Sequence, residues 1–322
     1  MEDVAASTTF LFPPELERPI FEIAALSDPK TAVCLLGVSR AIHEWIGPLI
    51  YCTLTHNPPT LSAHKKYPTF AWYQRYGKFV RHLLLSLAGG GGIIPFLACC
   101  PHLEDLAIWG PESPVDMDGV VDALTELKAR STSSHLTRLS VTLSSLFADA
   151  HHKAVGTYQL NDGHGVPAST SPFYFSPALG QHPLLEHMVH LELLDPCDSW
   201  EPYSGLAFMP NLTHLCVSKW SGRPFVVGVL EDCRSLKALI LVEALILAWD
   251  ETEVVDGETC KLVDQDQIER VFQEYEGEVG IERIVVMRVK YLDNWTKTAM
   301  GSMSMWTLAD EALEERKQRP NV

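Results

Sequence analysis

Basic residues are the scarce ones in this 322-residue chain: 25 Lys and Arg face 41 Asp and Glu, for a formal net charge of −16. A general nucleic-acid binder carries the opposite balance, so the composition argues against nucleic acid as a partner. No apolar run reaches the roughly 18–20 residues that a membrane-spanning helix needs. The opening Met1-Glu2-Asp3 lacks the basic start of a secretory signal. Eight cysteines include no C-x-x-C pair, and only Cys99 and Cys100 adjoin. That usage suits reduced thiols in the cytoplasm or nucleus better than a disulfide framework. Motifs of catalysis are missing too: there is no G-x-S-x-G, no G-x-x-x-x-G-K-[ST] and no H-E-x-x-H. Gly89–Gly92 is followed by no Lys-Ser/Thr and reads as a turn. Asp116-Met117-Asp118-Gly119 lacks the spacing of a calcium loop. The expectation is a non-enzymatic protein with no catalytic residues, metal or cofactor.

What is present is apolar pattern. Hydrophobic residues make up 46% and charged residues 20% of the chain, enough to build a core and too apolar for disorder. After a tail at 1–11, Pro13-Pro14-Glu15 predicts a helix start, where missing N–H groups cost nothing and a carboxylate suits the helix dipole. Leu16 and Ile20, four apart, share one stripe. Pro19 removes one hydrogen bond inside this helix and is expected to kink or shorten it. A second helical stretch runs from Leu35 to Ile46, followed by Pro48-Leu49-Ile50-Tyr51. The helical module is placed at 12–56.

A connector at 57–79 interleaves Lys65, Lys66, Arg75 and Lys78 with Tyr67, Phe70, Trp72, Tyr73 and Tyr76. Such interleaving suits single-stranded nucleic acid, but in an acidic chain it reads better as aromatics packing against the first repeat. From residue 80 the pattern apolar-x-x-apolar-x-apolar recurs seven times: Val80/Leu83/Leu85, Leu103/Leu106/Ile108, Leu136/Leu139/Val141, Met188/Leu191/Leu193, Leu212/Leu215/Val217, Leu236/Leu239/Leu241 and Ile281/Ile284/Val286. First members are 23, 33, 52, 24, 24 and 45 residues apart, and a step of about 20–29 is the signature of leucine-rich repeats. The last two apolar positions of each unit alternate along a short strand and point into the core. Ile94–Cys100, Val120–Ala129 and Val227–Cys233 supply helices behind the strands. Units of this kind bury their apolar faces only by stacking. The fold class expected is α/β: a three-helix N-terminal module, then an irregular βα solenoid over 80–290 with an insertion at 142–183, and a cap at 291–322. In the cap, Trp306, Ala309 and Leu313 fall at helical spacing, suited to closing the end of the solenoid. Asp250–Glu282 carries twelve acidic and two basic residues and reads as a solvated face with a helix at Asp264–Tyr275.

By alternation, the residue before each central strand position points to the opposite face. Those residues are His82, Asp105, Arg138, His190, His214, Ala238 and Arg283. Neighbouring His190 and His214 would stand about 5 Å apart, yet no third metal ligand is evident. An open face bearing Asp105, Trp109, Arg138, Glu192, His214 and Arg283 is the candidate target-binding surface.

The two-part N-terminal pattern, Pro13-Pro14-Glu15-Leu16 with Ile20-Phe21, then Val38-Ser39-Arg40 with Trp45-Ile46 and Pro48-Leu49-Ile50-Tyr51, resembles the F-box. With the repeats and the closing Trp306-Thr307-Leu308-Ala309-Asp310, the whole chain resembles the F-box-like leucine-rich-repeat proteins of mushroom-forming fungi. The resemblance implies docking onto a Skp1-like adaptor, and through it a cullin ligase, by Pro13, Leu16, Ile20, Leu35, Leu36, Val38 and Ile42. It departs from the F-box pattern at Ile42, where an aromatic is usual, and at Pro19. The function it implies is a substrate receptor for a ubiquitin ligase, with an unidentified target protein. Two other readings stand beside it: a repeat scaffold whose F-box-like part is only a cap, told apart by whether 12–50 keeps an exposed apolar patch, and a hydrolase or transferase with its site in the 142–183 insertion.

Overall fold

The computed structural model describes residues 13–56, 70–86, 94–109, 119–130, 136–147, 173–244, 260–289, 291–299 and 304–318. The chain is mixed α/β, and its centre is a nine-stranded, mostly parallel sheet that does not close. Three helices precede it. Helix α1 (Pro14–Ser27) starts behind Pro13 with Glu15 and Glu17 in its first turn. It runs unbroken through Pro19, in contrast to the expected shortening: the proline lies on the exposed side and costs one bond within a fourteen-residue helix. The Asp28 carboxylate accepts from the Lys30 and Thr31 amides and starts α2 (Pro29–Leu35). The Ser39 hydroxyl accepts from Ile42 N and starts α3 (Arg40–Tyr51). The three pack around Ala25, Ala32, Ile42 and Ile46.

Strand β1 (Thr53–His56) follows α3 directly and pairs with β2 (His82–Ser86), so the sheet begins inside the segment assigned to the helical module. Between them, α4 (Phe70–Tyr76) carries the connector aromatics inward: Tyr73 is buried against Phe96, and Tyr51 meets Trp72 and Tyr76. Lys65, Lys66 and Tyr67 lie outside the described residues. Then come α5 (Ile94–Leu97), β3 (Asp105–Trp109), α6 (Val120–Arg130), β4 (Arg138–Val141), α7 (Leu143–Leu146) and α8 (Pro177–Gly180). The chain continues with β5 (His190–Leu193), β6 (His214–Ser218), α9 (Arg223–Asp232) and β7 (Ala238–Ala244). The middle of the 142–183 insertion, 148–172, lies outside the described residues. Strand β8 (Cys260–Leu262), α10 (Gln265–Glu274, capped by Asp264), β9 (Ile284–Val289), α11 (Tyr291–Ala299) and α12 (Met305–Gln318) complete the chain. Strand order is β1-β2-β3-β4-β5-β6-β7-β9-β8, and β8, antiparallel to β9, forms one edge.

Register follows the repeat alignment. His82 pairs with Asp105, Asp105 with Arg138, Arg138 with His190, His190 with His214, and His214 with Ala238. One device sets it repeatedly: two successive amides at the start of a strand share one carbonyl just before the neighbouring strand. Arg81 and His82 donate to Cys52 O, Glu104 and Asp105 to Arg81 O, Thr137 and Arg138 to Glu104 O. The same pairing recurs at Val189/His190, Thr213/His214 and Lys237/Ala238. The repeat leucines, from Leu83 and Leu85 to Ile284 and Val286, all lie buried on one face. Each contributes on the order of 1.5–3 kcal/mol by burial.

The second face is also covered. Helix α12 puts Met305, Trp306, Ala309, Ala312 and Leu313 on Cys216, Ala238, Ile240, Val242, Val285 and Met287. Helix α11 puts Trp295 and Ala299 on Leu84 and Ala107. The expected C-terminal helix therefore forms with its predicted buried residues, but it lies across the sheet and does not cap the end. Apolar side chains at the outward positions of β6, β7 and β9 require a cover, and this helix supplies it.

Candidate functional site

Two regions hold the residues singled out in the sequence. The first is the outer surface of α1 and α2. Leu16, Ile20, Ile23 and Leu26 recur at helical spacing along α1 and are all exposed, Ile23 at 68% and Leu26 at 70%. Val33 on α2 and Val38 in the turn before α3 are exposed as well. Six large apolar side chains are exposed in one 23-residue stretch, and clustered exposed apolar side chains of this kind mark protein-binding sites. Of the predicted docking residues, Pro13, Leu16, Ile20 and Val38 lie on the exposed side. Leu35 and Leu36 are half-buried against the small helical core, and Ile42 belongs to that core at 4% exposure. Ile42 is therefore corrected from docking to packing, which also accounts for an aliphatic residue there: the space is enclosed by Ala25, Ala32 and Ile46. Ile23, Leu26 and Val33 were missed, although the i, i+3 step from Ile20 to Ile23 was there to be read.

The second region is the middle of the covered sheet face. Asp105, Glu192 and His214 are each only 4% exposed, not presented to solvent. His214 Nε2 lies 3.1 Å from Asp310 Oδ1 of α12, and its Nδ1 lies 2.7 Å from Thr213 Oγ1. The His190 and His214 rings stack with centroids 4.8 Å apart, and Trp306 closes over His190 at 4.9 Å. Burial, with His214 and Arg138 beside it, lowers the His190 imidazole to about 3, so the ring is neutral at physiological pH. Asp105 Oδ2 stands 3.6 Å from His82 Nδ1 and 3.7 Å from Arg138 Nη1. Burial raises the Glu192 carboxyl to about 7 despite a hydrogen bond from Ser140, with Asp105 adding to the rise. Trp109 is half-buried and donates from Nε1 to Ser140 Oγ at 2.9 Å.

Arg283 departs furthest from the expected surface. Its guanidinium turns back behind the sheet and donates to the carbonyls of Leu230, Cys233 and Leu236, closing the C-terminal end of α9. Gly280, at φ 80°, leaves room for it, since a Cβ there would meet the guanidinium. The predicted open target surface is therefore corrected: Asp105, Glu192 and His214 are covered, Trp109 and Arg138 are half-buried, and Arg283 supports α9. Alternation assigned the face of Asp105, Trp109, Arg138, Glu192 and His214 properly and misplaced Arg283; periodicity carries no information about which later segment covers that face.

Chemically, the covered cluster leaves little free space. The cavity lined by Asp105, Arg138, Ser140, Glu192, Asn294, Trp295, Thr298, Met305 and Trp306 is about 20 Å³, room for one water and no organic substrate. On the opposite face a cavity of about 30 Å³ beside Leu103, Leu124 and Leu184 is similarly small. Among the described residues, no three His, Cys, Asp or Glu side chains gather as metal ligands. Burial pushes the Cys100, Cys197 and Cys233 thiols up to about 12, and Cys216 well above its usual value, which suppresses the nucleophilic thiolate. No described helix is long and apolar enough to cross a membrane. No family model matches the chain, and no curated protein matches it.

Proposed function

We propose that this chain is a non-enzymatic substrate receptor of a Skp1–cullin–F-box-type ubiquitin ligase, with α1 and α2 docking onto a Skp1-like adaptor. The observation that carries this reading is the exposed apolar surface of Leu16, Ile20, Ile23, Leu26, Val33 and Val38. A helical element serving only as a cap has no reason to keep six large apolar side chains in water, and solenoid ends normally turn a polar face outward. The in-register parallel strands support an irregular leucine-rich-repeat architecture as the framework that carries the docking helices.

The scaffold reading, with the first helices as a structural end piece, draws on the direct run of α3 into β1 and on the packing of Tyr51 against α4. One experiment separates the two. The full-length chain and its Leu16→Glu/Ile20→Glu variant are co-purified with a fungal Skp1. Both residues are exposed, so the variant keeps its circular dichroism and melting temperature. Retention of Skp1 by the wild type and at least a tenfold loss in the variant support the receptor role; no retention by the folded wild type leaves the scaffold.

A further inference from the structure

The acidic balance of the chain is inverted along one rung of the sheet. Lys219 follows the last residue of β6, Glu243 and Arg288 lie near the ends of β7 and β9, and Lys261 lies in β8. Glu243 pairs in register with Arg288, and Arg288 pairs with Lys261. By alternation from Leu241 and Val286, this rung is on the face opposite α12, clear of the covered cluster. Lys219 Nζ lies 2.6 Å from Glu243 Oε1, and Arg288 Nε donates to Glu243 Oε2 at 3.1 Å. Hydrogen bonds from Lys219 and then Arg288 hold the Glu243 carboxyl below its usual value. One carboxylate thus answers three cations, in a chain of formal net charge −16. The Arg288 Nη groups and the exposed Lys261 ammonium have no partner among the described residues. Like charges directly opposite on paired strands destabilise a sheet, and an anion from outside relieves the Arg288–Lys261 pair.

Beside the rung stands Trp220, 74% exposed, more than any other large apolar side chain among the described residues. The Lys219 ammonium lies over its ring at 4.7 Å. The turn that carries it is held from several sides. Ser218 Oγ accepts from Trp220 N at 3.3 Å, and Ser218 O accepts from Ser221 N at 2.9 Å. Lys219 N donates to Val242 O at 2.9 Å, and Gly222 N donates to Cys197 O at 2.7 Å. A Cβ on Gly222 would stand 2.2 Å from Asp198 O, so the turn seats directly on the chain that follows β5. A large ring on a fixed backbone loses little freedom on association, which is the character of an interface anchor.

We propose that this rim is a docking site for an acidic, extended segment of a partner protein. An apolar side chain of the segment lies against Trp220, and carboxylates two to four positions along meet the Arg288 Nη groups and Lys261 Nζ. The length fits: three strand spacings of about 4.8 Å separate Lys219 from Lys261, roughly 14 Å, which about four extended residues cross. A long polyanion such as nucleic acid is repelled by the chain as a whole, whereas a short acidic segment meets only the rim. The site shares no residue with α1 or α2; as the place where a ligase receptor holds its target, it rests on the receptor reading.

The test uses the full-length chain and a fluorescein-labelled peptide, Ser-Phe-Gly-Asp-Glu-Asp-Ser, read by anisotropy. Five carboxylates from Asp250 to Glu258, outside the described residues, lie between β7 and β8 in the sequence. The measurement is therefore repeated on a form with all five changed to amides, which removes them as competitors. The acidic peptide binds at least tenfold more tightly than its counterpart with Asn and Gln in place of Asp and Glu, and added salt narrows the difference. Trp220→Ala and Lys261→Glu each weaken binding at least fivefold; both side chains are exposed, so the melting temperature stays that of the wild type. Equal binding of the two peptides, no binding by either folded form, or unchanged binding by either variant overturns the docking site. Tighter binding of an oligothymidylate than of the acidic peptide overturns the peptide assignment in favour of single-stranded nucleic acid. None of these readouts involves Skp1, so failure of adaptor docking and failure of this site are told apart.

Discussion

Glu192→Gln should relieve a pH-dependent burden on the fold. The Glu192 carboxyl sits beneath α11 and the first turn of α12 at 4% exposure, and burial raises it from 4.5 to about 7. At 1.36 kcal/mol per pH unit that rise is about 3 kcal/mol. Below pH 4.5 the group is protonated in both folded and unfolded chains and costs nothing. Between 4.5 and about 7 only the unfolded chain ionises, so stability falls as pH rises; above 7 both forms are ionised and the loss stays constant. Glutamine keeps the shape and cannot ionise. Urea unfolding of wild type and variant at pH 4.5, 5.5, 6.5, 7.5 and 8.5 isolates the effect, because every other titrating group is common to both. The variant's stability relative to wild type should climb by about 3 kcal/mol from the lowest pH to 7.5 and then level off. A difference that stays flat over this range refutes the argument, and with it the enclosure of Glu192 by the C-terminal helices.

His190 carries the opposite sign: its imidazole is held neutral down to about 3, so stability is lost as pH falls from 6.5 toward 3, and His190→Gln should lose less over that interval in the same assay. Arg283→Ala leaves the Leu230, Cys233 and Leu236 carbonyls without their charged donor and should cost about 2–3 kcal/mol in urea unfolding, whereas an exposed-surface role predicts almost none. Thiol labelling of the native chain should modify exposed Cys34 first and reach Cys100, Cys197, Cys216 and Cys233 only on unfolding; prompt labelling of those four refutes the packing around them.

Much of the sheet was legible because its periodicity is local. Leu106 and Ile108, or Leu215 and Val217, announce an inward pair on a short strand whatever the rest of the chain does. Caps were legible for the same reason: Asp264 starts α10 one residue from the predicted boundary. The cover on the second face was not read, though a signal existed. Ala238-Leu239-Ile240-Leu241-Val242 and Ile284-Val285-Val286-Met287 are apolar at every position, the pattern of a parallel strand buried on both sides. Treating the alternate positions, Ile240 and Val242 or Val285 and Met287, as solvent-facing left the neighbouring His214 and Glu192 looking like an open surface. At the N-terminus, the resemblance singled out Leu16, Ile20 and Val38, which are exposed, together with Ile42, which is buried; only packing separates Val38 from Ile42, four residues later.

Strands β2 to β7 each take their alignment from a carbonyl immediately before the neighbouring strand, so the connections carry none of that information. Steps of 23, 33, 52, 24 and 24 residues all deliver their strand to the same rung. The entropic cost of a longer crossing grows only logarithmically. Each crossing is therefore a splice point at which this chain can gain or lose sequence without retuning its neighbours, and lineage-specific length differences should concentrate between the strands and leave the two-amide starts at a fixed distance from the leucines next along the chain.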